Sequence, residues 1–128
     1  CDDSVPLLIA RQAAATPDAI AVRDARGALT YAQLEGASNR LAFALSQLGV
    51  GSGHRIGLHL DRSSELLIGL LGVMRTGAAY VMLDPRQAPA RLKAIVEDAG
   101  ITVVLQAPHA RLDLPGVHTL DIDGPQLV

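Results

Sequence analysis

The sequence predicts an α/β fold: a mostly parallel, doubly wound sheet with helices on both faces and a short N-terminal hairpin. Three observations predict it. Along the 128 residues, apolar positions switch repeatedly between helical spacing and short strand-like runs, the pattern of successive strand–helix units. The breaks fall at Gly, Pro and Asp clusters such as Thr16-Pro17-Asp18, Gly49 to Gly53 and Asp84-Pro85, which punctuate elements. The run Ile101–Leu105 is apolar almost throughout, as a strand covered on both faces must be. Units of this kind join through helical crossovers into an open sheet, with no reason for barrel closure.

Taken in order, Ser4 is placed to cap a first helix that has Pro6 in its first turn and runs to about Ala15, because proline costs nothing where the N–H has no helical partner. Thr16-Pro17-Asp18 ends it. Ala19–Arg23 and Ala28–Tyr31 read as the two strands of a hairpin turning at Asp24–Gly27. Thr30 and Gln33 have the spacing of a capping box. The helix they open lines Leu34, Leu41, Leu45 and Leu48 along one face, beside Ala37 and Ala44, with Gly49 at its end. Arg55–Leu60 is the next strand, and Asp61 to Ser64 offer caps for a helix over Ser64–Thr76.

That helix is apolar nearly all round, which predicts burial on most sides. Gly69 and Gly72 in its interior each cost roughly 1 kcal/mol relative to Ala, so close packing against other chain is the expected compensation. Ala79–Leu83 is a strand stopped by Asp84-Pro85. Pro89 opens a third long helix with Leu92, Ile95, Val96 and Ala99 inward, closed by Gly100. Ile101–Leu105 follows as a strand, then a turn-rich stretch over Ala107–Gly116, then a strand at Val117–Ile122.

Composition excludes several function classes. An apolar fraction of 49% supplies a core and argues against disorder. The longest near-apolar stretch, Leu66–Met74, is far short of the ~20 residues of a membrane span, and with no basic segment leading into an apolar run at the start, no signal peptide is expected. With Lys+Arg 11 against Asp+Glu 13, no electrostatic field draws nucleic acid or an anionic membrane. Tyr31, Phe43 and Tyr80 are the only aromatic residues, too few for base stacking. The single cysteine, Cys1, permits no internal disulfide, which suits a reducing, cytoplasmic setting.

No catalytic, cofactor-binding or metal-binding constellation emerges. Gly49, Gly51 and Gly53 follow a helix and precede a strand, the reverse of a dinucleotide loop, so they read as a turn. His54, His59, His109 and His118 form no ligand-spaced pair and are expected at the surface or at strand edges. The acid pairs Asp2-Asp3, Glu97-Asp98 and Asp121/Asp123 read as solvated charge. No serine lies in a nucleophile elbow. Lys93 is the only lysine, so no mechanism needing two lysines is available within this chain.

Two segments nonetheless carry a pattern. They are Leu29-Thr30-Tyr31-Ala32-Gln33-Leu34, followed by Ser38-Asn39-Arg40-Leu41-Ala42, and Met74-Arg75-Thr76-Gly77-Ala78-Ala79-Tyr80-Val81-Met82-Leu83-Asp84-Pro85. In order and spacing they resemble the first two core motifs of nonribosomal peptide synthetase adenylation domains, within the adenylate-forming (AMP-binding) superfamily. Ala14–Val22, Leu48–Gly51, Asp61–Leu66, Arg91-Leu92 and Glu97–Ala99 extend the likeness, which covers roughly Val5 to Leu105. The sequence departs from the pattern at Met82, where the family usually has proline, and at Gln87-Ala88-Pro89, which replaces a tyrosine–proline pairing.

The resemblance implies a partial N-terminal subdomain of an adenylate-forming fold spanning residues 1–128, with 1–5 as linker from an upstream domain. Complete family members use ATP and Mg²⁺ to form an aminoacyl adenylate and load it on the phosphopantetheine thiol of a carrier protein. Their phosphate loop, amino-acid pocket and catalytic lysine lie beyond the matched region, so no catalytic residue carries over. This chain alone is expected to be inactive, with no cofactor bound. Its expected partners are the rest of the adenylation domain, a condensation domain and a carrier protein, or a second copy through an open sheet edge. The alternatives are a non-catalytic adenylation remnant serving as a packing platform and a small α/β binding module.

Overall fold

The computed structural model describes residues 5–24, 27–60, 64–107, 112, 114 and 116–122. Its elements run α1 (Val5–Ala15), β1 (Ile20–Asp24), β2 (Gly27–Thr30), α2 (Tyr31–Gln47), β3 (Arg55–His59), α3 (Ser64–Thr76), β4 (Ala79–Met82), α4 (Pro89–Ala99), β5 (Val103–Gln106) and β6 (His118–Asp121). Strands β1 and β2 form an antiparallel hairpin; the other four form a parallel sheet in the order β4-β3-β5-β6. The expected α/β class, parallel sheet and hairpin are all present. The caps read at Ser4 and Asp61–Ser63 lie outside the described residues, as do Cys1, Asp2-Asp3, His109 and Asp123.

The connection β3–α3–β4 steps to one side of β3, and β4–α4–β5 steps back across it. Right-handed crossovers in opposite directions place their helices on opposite faces, and two apolar clusters follow. One joins α2 and α3 to Ile56, Leu58, Val103 and Leu105. The other joins Leu92 and Val96 of α4 to Leu83, Ile101 and Val104. Central strand β5 is buried at all four positions, as its unbroken apolar run requires.

Helix α3 lies between the sheet and α2, and its two interior glycines make this possible. A Cβ on Gly69 would stand 3.1 Å from Leu60 Cδ1 and 3.4 Å from Leu58 Cδ2 on the sheet side. A Cβ on Gly72 would stand 2.6 Å from Leu41 Cδ2 and 3.1 Å from Leu41 Cβ on the α2 side. The all-round apolar surface and both glycines are thus explained by one placement.

Helix α2 starts as expected. Gln33 N–H donates to Thr30 Oγ1 at 3.1 Å, and Thr30 N–H donates to Gln33 Oε1 at 2.9 Å. At its other end Gly49, with φ +83°, adopts the left-handed conformation. Val50 N–H then reaches Leu45 O, and Gly49 N–H reaches Ser46 O, the paired bonds of a Schellman end. Leu48 departs from expectation: it is the C-cap residue and is 41% exposed, because the turn carries it off the inward face.

Most strand boundaries shift by one or two residues, three of them for a visible reason. Thr30 serves as the N-cap, so β2 ends there and Tyr31 belongs to α2. Ile101 donates its N–H to Val96 O as α4 closes, which delays β5 to Val103 while leaving Ile101 buried. Val117 N–H is used in a turn to Leu114 O, so β6 begins at His118.

Candidate functional site

Strands β3 and β4 are neighbours whose following helices lie on opposite faces. Open α/β sheets receive ligands outside the carboxyl ends of their strands. A cleft of about 860 Å³ lies there. Leu60 follows β3, Leu66 comes from the first turns of α3 and Ile95 from α4, and the segment Met82–Gln87 forms the wall between them. Met82, Arg86 and Gln87 on the rim are exposed, whereas Leu60 and Leu83 are buried.

The charges of the cleft are committed to its own wall. Asp84 Oδ1 accepts from Arg86 N–H at 3.0 Å and from Arg86 Nε at 3.1 Å, and Asp84 Oδ2 accepts from Arg86 Nη2 at 3.2 Å. Gln87 N–H closes the turn on Asp84 O at 3.0 Å.

A second polar group sits along the same carboxyl edge. Register places His59, Gln106 and Asp121 side by side on β3, β5 and β6, and strand alternation turns all three to the α4 face. His59 and Gln106 are 4% and 2% exposed. Gln106 Nε2 donates to Asp121 Oδ1 at 3.1 Å, and Leu112 N–H donates to Gln106 Oε1 at 3.0 Å. One amide therefore holds both the last strand and the loop before it. His59 corrects the expectation of surface or edge histidines: it lies on β3, which is paired on both sides. His54 and His118 are exposed as expected.

Sequence reasoning also missed Ser64 and Glu65, which are buried at the start of α3 with Ser64 Oγ donating to Glu65 Oε2 at 3.2 Å. The available signal was an acid in the first turn, which a helix N-terminus favours. Glu97, Asp98 and Lys93 are exposed on α4. Among the described residues, no three His, Cys, Asp or Glu side chains converge on a metal-sized site. No helix there is long and apolar enough to cross a membrane.

The helices that carry the two motif segments, α2 and α3, pack together away from the cleft. Arg75 of the second segment pairs there with Glu35, which lies between the two parts of the first, at 2.5 Å, with side chains 16% and 22% exposed. Arg75 Nη2 also approaches Pro6 O of α1 at 3.4 Å, while its Nε is buried without a partner. Three helices are tied by one guanidinium, beside the Gly72–Leu41 contact.

Residues 9–126 match the family described as AMP-binding enzyme. This chain belongs to that family. It is 41% identical over 108 residues to tyrocidine synthase 3 of Brevibacillus parabrevis, covering 84% of this chain and 2% of that protein. Tyrocidine synthase 2 of the same organism is 36% identical over 117 residues, covering 91% of this chain and 3% of the relative. This AMP-binding family chain thus spans a few hundredths of those relatives.

Among solved structures, the nonribosomal peptide synthetase FmoA3 in its AMPPNP-bound form superposes with a TM-score of 0.86 at 31% identity. That match covers 91% of this chain and 13% of FmoA3. O-succinylbenzoate coenzyme A synthetase from Bacillus subtilis, at 23% identity, shares the fold with a TM-score of 0.75, covering 88% of this chain and 30% of that one. The likeness read from the two motif segments is thereby borne out.

Proposed function

We propose that this chain is an N-terminal scaffold portion of a nonribosomal peptide synthetase adenylation domain. In that reading the complete domain joins an amino acid to AMP and passes it to a carrier-protein thiol. Residues 1–5 serve as linker, and the remaining residues belong to the adenylation domain. Its partners are the rest of that domain and the neighbouring condensation and carrier domains of a cytoplasmic megasynthase. The observation that carries the reading is the seam between α2 and α3, where Arg75 of the second segment pairs with Glu35 and Leu41 of the first packs against Gly72. Each segment is tied to the helix that carries the other, and at this seam neither faces a reacting group.

ATP and Mg²⁺ do not fit the residues described. Lys93 is exposed on α4, the charges of the cleft are engaged with each other, and no convergent carboxylate set is present among the described residues. No step through nucleotide or metal is assigned to this chain, and its residues contribute packing. One observation favours a second reading, a small α/β binding module. The cleft opens at the carboxyl ends of β3 and β4, and its volume falls within the ~300–1,000 Å³ of ligand sites. Calorimetric titration of the folded chain with ATP and Mg²⁺ separates the two. The scaffold reading predicts no saturable heat. Saturable binding that Ile95→Trp abolishes by filling the cleft would overturn it in favour of the binding module.

A further inference from the structure

We draw no further inference here: the strongest candidate, the exposed Tyr80 and Met82 of the β4 edge beside the cleft at the carboxyl ends of β3 and β4, is an unpartnered apolar face with nothing in the structure to show what covers it.

Discussion

At Gly72 a single missing methyl group sets the distance between two helices. Ala is the better helix former by about 1 kcal/mol, yet overpacking a filled core costs about 1–3 kcal/mol. The Cβ would meet Leu41 not at Cδ2 alone but at Cγ and Cβ as well, which a rotation of the tip cannot clear, so the clash wins. Gly72→Ala is expected to lower the urea midpoint, whereas Gly36→Ala, which would meet only the guanidinium end of Arg40 at 3.3 Å, should raise the midpoint through a stability gain of up to about 1 kcal/mol. Equal effects at the two sites would refute the packing argument. The Arg75–Glu35 pair is sheltered enough to matter, and a double-mutant cycle with Arg75→Met and Glu35→Gln should show a coupling of about 1–2 kcal/mol. Additive losses would mean that the pair contributes nothing beyond its solvated charges. The glycines were legible in the sequence because their helix-propensity cost demanded a reason. The pair was not, since charges 40 residues apart carry no local sign of meeting. The burial of His59 and Gln106 was hidden for the same reason, because it depends on which strands become neighbours.

Elements were legible where their ends are chemically marked. Thr30 with Gln33, Gly49 and Gly100 each announce a helix terminus, and α2 and α4 stop at those marks. Strand limits were less legible because a ladder partner, not the residue itself, decides them: β5 gains Gln106 through its pairing with His59 and Asp121. That amide gives an element-scale prediction. Gln106→Leu leaves the Leu112 N–H without this acceptor and removes one donor from Asp121, at a cost of about 1–3 kcal/mol. Hydrogen exchange should speed up first at β6, with β3 little changed; uniform acceleration across the sheet would contradict a local clamp. In the unaltered chain, β3 amides should exchange slowest. β3 is bonded on both sides and covered by helices, whereas the β1–β2 hairpin has one ladder and exposed positions at Ile20 and Ala28.

At the scale of the whole molecule, the sheet order leaves β4 at an edge, with Tyr80 and Met82 44% and 49% exposed. Unpaired edges with apolar side chains invite pairing. The isolated chain is therefore expected to sediment as species larger than one chain at raised concentration, and Met82→Lys should suppress this by placing charge on the edge. A concentration-independent monomer would count against the open edge. The fold class and the family likeness were legible from alternation and from two motif segments, whereas the cleft was not, because it exists only once the crossovers diverge around β3. The central claim is that these motifs form a scaffold and do not perform the chemistry. Amino-acid-dependent exchange of pyrophosphate into ATP tests it most directly, on a preparation first shown to melt cooperatively. The account predicts exchange at the enzyme-free background for every amino acid supplied; a rate above background that depends on one of them would contradict it.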